Sequence, residues 1–126
     1  MDKRPITTSK APAAIGPYSQ GIAAGRMIFT SGQLPADPES GAIVPGGIAE
    51  QARQALTNLR SVLEEAGASL DNVVKTLVFL KDMNDFAAFN AVYAEFFREP
   101  YPARSCVEAA RLPKDALIEI EAIAVL

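Results

Sequence analysis

Apolar positions along the chain recur with two different periods. Over residues 48–66, Ile48, Ala52, Ala55, Leu56, Leu59, Val62, Leu63 and Ala66 fall three or four apart, with Glu50, Arg53, Arg60 and Glu64 outside the stripe. That spacing predicts an amphipathic helix. Gly67 then predicts its end, in the left-handed conformation that glycine adopts without a Cβ clash. Residues 73–80, "VVKTLVFL", are rich in β-branched side chains and apolar on both alternating faces, which predicts a strand covered on both sides. A cap at Asn84 or Asp85 predicts a second helix whose Phe86, Phe89, Val92, Tyr93, Phe96 and Phe97 dock on a sheet, with Pro100 and Pro102 stopping it. Residues 27–30, "MIFT", predict a short strand. Its partner comes from residues 16–24 through a turn at Gly25-Arg26. Residues 37–41 and Pro45-Gly46-Gly47 collect turn formers and predict an irregular loop. Two closing strands flank Pro113-Lys114-Asp115.

The order strands, helix, strand, helix, strands predicts an α+β fold with a mostly antiparallel sheet, in one domain over residues 1–126. Two helices cover only one face of such a sheet. On the last strand Ile118, Ile120, Ala122 and Ala124 alternate with Leu117, Glu119, Glu121, Ile123 and Val125, so neither face is purely polar. The strand from Val73 divides similarly, with Val74, Thr76, Val78 and Leu80 on one side and Val73, Lys75, Leu77 and Phe79 on the other. A second apolar face with no third helix to cover it predicts association with further copies of the chain.

Composition narrows the chemistry. The chain has no histidine and a single cysteine, Cys106, so the common zinc, haem and histidine-based catalytic sites lose their usual ligands and bases. A formal net charge of -3 and a sequence pI near 4.9 argue against a nucleic-acid partner. The polar start "MDKRPITTSKAP" and the absence of a long apolar run predict a cytoplasmic protein with no membrane partner.

The C-terminal "PARSCVEAARLPKDALIEIEAIAV" resembles the signature of the RidA (YjgF) family of enamine and imine deaminases. "AAIGPYSQG", "FTSGQLP", "QARQALTNL", "VVKTLVFLKDMNDF" and "FNAVYAEFF" match the family in the same order, over nearly the whole chain. The resemblance implies a chorismate-mutase-like fold and a homotrimer whose sheets form a central barrel, with sites between subunits. It also implies hydrolysis of 2-aminoacrylate and related 2-imino acids, released by pyridoxal-phosphate-dependent dehydratases, to 2-oxo acids and ammonia. No cofactor is implied, because an iminium carbon is already electrophilic. The segment "FFREPYPARS" is shorter than in some members, which bears on site access and substrate range.

Carried over to this sequence, the family's pattern makes Arg104 the carboxylate anchor, a task suited to a planar guanidinium with two parallel donors. The alternative is a structural ion pair with Glu119 or Glu121. Glu119 matches the glutamate that orients or deprotonates water. Glu121 shares its face, and only the motif separates the two. Tyr18, Ser31 and Gly32 match site positions, as does Asn90 on the second helix. Without the family, Tyr18 reads as an interface anchor, Ser31-Gly32 as turn chemistry and Asn90 as an exposed or interfacial amide. Cys106, with no histidine beside it, is expected to contribute its backbone rather than a reactive thiol. The chemical expectation is therefore anchoring by Arg104, orientation by backbone near Ser31 and Cys106, and proton transfer by Glu119.

One conflict follows from strand geometry. If the last two strands form a hairpin centred on Pro113, Val107 faces Glu119 and Arg104 faces Ala122, which puts arginine and glutamate on opposite faces. Either the register shifts by one residue or the two meet only between subunits. Two rival functions also fit this sequence class, an endoribonuclease or translation inhibitor, and a non-catalytic small-molecule sensor or holdase.

Overall fold

The structure, a computed structural model, describes residues 2–126. A six-stranded sheet in the order β1-β2-β3-β6-β4-β5 is packed on one face by two helices. The strands are β1 Lys3–Ile6, β2 Gly21–Ala24, β3 Met27–Thr30, β4 Val73–Leu80, β5 Ala103–Glu108 and β6 Ile118–Val125. The helices are α1 Ile48–Glu65 and α2 Phe86–Phe96.

Both helices form where periodicity places them. The stripe of α1 lies buried, with Leu56, Leu59, Val62 and Leu63 fully enclosed against the sheet. Its end is a Schellman motif: Ala68 N–H donates to Leu63 O at 2.9 Å and Gly67 N–H to Glu64 O at 3.0 Å, with Gly67 at φ 83°. That geometry satisfies two terminal carbonyls and suits glycine. On α2, Phe89, Val92 and Tyr93 are buried, and Phe97 just beyond it closes the same apolar layer. Its start differs from expectation. Asp85 stands at the N-cap but makes no side-chain capping bond, and Asp82 instead accepts from Asn84 N–H to cap a 3-10 turn, Met83–Asp85, that leads into α2.

The N-terminal half of the sheet holds one strand more than the pattern showed. β1 hydrogen-bonds to β2 as an edge strand with only Ile6 buried, so its sequence looks polar. Residues 16–20, expected to extend β2, belong to a loop that begins at residue 7. The hairpin of β2 and β3 turns at Gly25-Arg26, as expected.

The closing strands are not a hairpin. β4 lies between them, parallel to β5 and antiparallel to β6, because α2 carries the chain back to the same end of the sheet before β5 begins. The face assignment survives this change of topology. Thr76 pairs with Arg104 on one side and Ala122 on the other, and Phe79 with Val107 and Glu119. No one-residue shift occurs in these rows, so Arg104 and Glu119 lie on opposite faces of one sheet.

A second correction concerns Val73. A bulge between Val73 and Lys75 sends Val73 to the helix face and leaves Val74 exposed. The rest of β4 alternates as predicted, with Thr76, Val78 and Leu80 under the helices. The open face carries Phe29, Ile123, Leu77, Phe79 and Val107 together with Lys75, Glu119 and Glu121, most of them half-buried. It is apolar beyond what a solvated face requires. No helix is long and apolar enough to cross a membrane among the described residues.

Buried amides hold the irregular parts. Asn58, fully enclosed on α1, donates to Leu34 O and Ala36 O at 2.9 Å each and accepts from Gln54 at 2.9 Å. Gln51 accepts from Leu117 N–H at 2.9 Å. Together they fasten the loop after β3 and the entry to β6 onto α1.

Asn58→Ala leaves two buried carbonyls without their donor and should lower the unfolding free energy by about 2–4 kcal/mol. Urea denaturation at fixed protein concentration checks this, and a loss below about 0.5 kcal/mol would contradict the role given to the amide.

Candidate functional site

The arginine half of the site is built on the edge strand. Arg104 projects from β5 onto α2, where its guanidinium lies 4.7 Å from the ring centroid of Tyr93 and 5.5 Å from those of Phe86 and Phe89. Its Nη1 donates to Asn90 Oδ1 at 2.8 Å. Ring faces and one amide oxygen hold the cation in place without neutralising it. Among the described residues Arg104 has no ion pair, so the structure does not take up the alternative of a salt bridge to Glu119 or Glu121.

The aromatic rows of α2 exist to fill the core, and the same rows supply this seat. Tyr93 is fixed by a 2.8 Å hydrogen bond with Thr76 and packs, with tilted rings, between Phe89 and Phe97. Burial pushes its phenol above the usual range, which the Thr76 bond and the Arg104 charge only partly offset. A concavity of ≈ 430 Å³ opens beside Arg104, lined also by Asn90, Tyr93, Tyr101 and Pro102.

Cys106 sits two residues along β5, on the same face as Arg104, packed against the core. Burial pushes its thiol above the ordinary value, opposed only in part by Arg104. The side chain is thus kept protonated and poorly nucleophilic. Its backbone has a different outlook. Ala109 N–H donates to Leu80 O on β4, and by strand alternation Cys106 and Arg104 turn their N–H and C=O groups to the open sheet edge.

The glutamate half lies on the other face. Glu119 rises from the start of β6, as its second residue, and its carboxyl lies against Gly32, where an added Cβ would come within 2.8 Å of Glu119 Cδ. Gly32 is held there because Gln33 extends β3 beside β6, exchanging backbone hydrogen bonds with Ile120 at 2.7 and 3.1 Å. Ser31 donates its hydroxyl to Ser19 O at 2.6 Å and its N–H to Gln20 O at 2.9 Å, which ties this turn to the loop carrying Tyr18. The Tyr18 ring is about half exposed. Tyr18, Ser31, Gly32 and Glu119 share a cleft of ≈ 500 Å³ with Ile15 and Pro113 on its walls.

Glu119 is half-buried, and burial followed by the neighbouring charge of Glu121 raises its carboxyl above the ordinary glutamate value. Both effects oppose a second negative charge in little water. Such a carboxyl can accept a proton from water and return it at a pH where an ordinary glutamate stays ionised.

The expected residues therefore form two groups. Arg104, Asn90 and Cys106 belong to the arginine half, and Tyr18, Ser31, Gly32 and Glu119 to the glutamate half. One copy of the chain does not bring the halves together. Sequence reading missed Tyr93 and Tyr101 beside the arginine, because helical and loop aromatics are explained by packing alone. It also missed Gln20 and Gln33 in the cleft. The only signal for Gln20 was its place in "GPYSQ".

Residues 8–126 match the family described as Endoribonuclease L-PSP. A RutC family protein of Pyrococcus abyssi is 59% identical over 124 residues, covering 98% of each chain. The 2-iminobutanoate/2-iminopropanoate deaminase of Escherichia coli K12 is 58% identical over 123 residues, covering 95% of each. The crystal structure of E. coli TdcF with bound serine superposes with a TM-score of 0.92 at 51% identity, covering 98% of each chain. With a family match across almost all of the sequence and relatives this similar over their whole length, the chain belongs to the Endoribonuclease L-PSP (YjgF/RidA) family.

Proposed function

We propose that the protein hydrolyses 2-imino acids to 2-oxo acids and ammonia, in sites that pair Arg104 of one copy with the Glu119 cleft of another, in a homotrimer. The observation that carries this reading is the guanidinium of Arg104, ordered by Asn90 and three rings yet without an acid partner among the described residues. A cation prepared in this way is suited to an anionic ligand, and two parallel N–H donors fit a carboxylate. The serine bound in E. coli TdcF has the same α-carboxylate next to a nitrogen-bearing carbon as a 2-imino acid. The half-apolar open face supports association, since a second copy would cover it.

In this mechanism Arg104 takes the carboxylate, and the edge-facing backbone of Cys106 and the Ser31-Gly32 turn orient the iminium group. Glu119 accepts a proton from water as its oxygen bonds to the imine carbon. The resulting carbinolamine then breaks its C–N bond. Glu119 gives its proton to the nitrogen before that bond breaks, and the hydroxyl proton passes to the departing ammonia as the C=O forms, leaving a 2-oxo acid and ammonium. Enclosure and orientation add to the acid-base contribution. The family's endoribonuclease description has no comparable support from the residues, since an acidic chain without histidine offers neither a phosphate-binding field nor the usual base.

Arg104→Ala should lower kcat/KM by about 10²-fold or more, the loss of two hydrogen bonds to a charged group. Arg104→Lys should act mainly through KM. Coupled assays that generate the imine with a dehydratase and time oxo-acid release measure both, and unchanged rates at every imine concentration would exclude the anchor.

The raised Glu119 carboxyl places the acid limb of the pH–rate profile above the ordinary glutamate pKa, with activity lost as pH falls through it. Glu121→Gln removes the second cause and should move that limb down. Glu119→Gln should abolish the limb and slow turnover by about 10²–10⁴-fold. A profile unmoved by either change would rule out Glu119 as the titrating base.

Mixing Arg104→Ala and Glu119→Gln chains, unfolding them and refolding them together should restore about a quarter of the sites if each site draws on two copies. Activity no greater than in the separate variants would place both groups in one chain.

A further inference from the structure

The cleft around Glu119 takes Pro12, Ala13, Ile15, Tyr18 and Gln20 from residues 7–20, a segment with no helix or strand. Without a ladder of backbone bonds, such a segment needs side chains to define its shape. Gln20 provides them. It is 3% exposed, and its Oε1 accepts from Thr8 N–H at 2.7 Å while Nε2 donates to Pro12 O at 2.8 Å and Thr8 O at 3.0 Å. A longer contact of 3.3 Å reaches Ala11 O. Both donors of the amide and one acceptor are used, so the loop is closed at its base across 12 residues.

Beyond that base, the loop is held at Tyr18 N–H, which donates to Gly16 O, and at Ser19 O, which accepts from Ser31 Oγ. Pro12, Ala13 and the 83% exposed Ile15 form an apolar wall, and the position of this wall relative to Glu119 follows from the Gln20 bonds. We propose that Gln20 is a positioning residue that sets the apolar wall of the cleft and so decides how long a substrate side chain the site accepts. This rests on the function proposed above: with a carboxylate at Arg104 and the reacting carbon at Glu119, the remaining aliphatic group of a 2-imino acid lies against Pro12, Ala13 and Ile15.

Gln20→Met keeps the length of the side chain and removes every hydrogen bond it makes. Two measurements on the full-length variant test the proposal. Hydrogen exchange should be at least tenfold faster at the hydrogen-bonded loop amide of Tyr18 and unchanged in α1. The ratio of kcat/KM for a methyl-bearing to a branched-chain 2-imino acid should change at least fivefold, whereas a merely less stable protein would lose activity on both in proportion. Unchanged loop exchange, or an unchanged ratio, overturns the proposal. If Gln20→Met does not fold, Thr8→Pro deletes the N–H accepted by Oε1, together with the Thr8 hydroxyl that accepts from Lys10 N–H outside the cleft, and should shift both readouts in the same direction; Thr8→Val, which loses the hydroxyl alone, should leave both unchanged. If the unmodified protein turns over no 2-imino acid, the deaminase reading fails by itself. The wall is then judged from affinities for 2-oxo acids of increasing length by calorimetry, and no length-dependent difference between Gln20→Met and the parent would overturn it.

Discussion

A guanidinium with no counter-ion among the described residues is the constraint around which the molecule is organised. Arg104 could lie along an edge strand in water at little expense, but it is folded onto the rings of α2 and ordered by Asn90. The rings favour the cation through their quadrupoles, and none of them cancels its charge. The aromatic packing that docks α2 on the sheet therefore also seats an un-neutralised cation, which in the proposed reading receives the anion. Core and site share the same residues, with Tyr93 buried for packing and its ring still facing the cation.

The opposite face holds the complementary condition, a carboxyl whose proton affinity has been raised. Glu119 is half-buried beside Gly32 and next to Glu121. Direct contact with Arg104 would stabilise its charged form and undo that preparation. Separation by the thickness of the sheet preserves both states in an isolated chain. In the proposed reading, the two meet only with a substrate between them.

The helices, β4 and the hairpin at Gly25-Arg26 were legible because each buries a face with a clear period. The edge strand β1 was not, since Ile6 is its one buried position. The pairing of the C-terminal strands was misread because a hairpin and a strand inserted between two neighbours produce the same alternation, as the rows Arg104–Thr76–Ala122 and Val107–Phe79–Glu119 demonstrate. Parity could be read from spacing, but adjacency depends on where α2 delivers the chain. The site residues were named through their motif, and their division into halves agrees with the conflict that strand geometry had raised. Gln51 and Asn58 fall on the buried face of α1 but, being polar, do not count toward its apolar stripe, and Gln20 lies in a segment with no period at all. Their partners are backbone groups of irregular segments, visible only when folded.

The bulge at Val74 has a consequence for the phase of the sheet. Val73 and Thr76 both point under the helices although an odd number of steps separates them, and uninterrupted pairing from Val73 would have buried Lys75 and turned Thr76 outward. β5 begins to pair only at Lys75, downstream of the irregularity, so the orientation of Arg104 is inherited from the frame that Val74 resets. A residue lost at this joint would be absorbed as regular pairing before the ladder to β5 starts. The same loss three positions later would exchange the two faces and carry the arginine's neighbours to the wrong side.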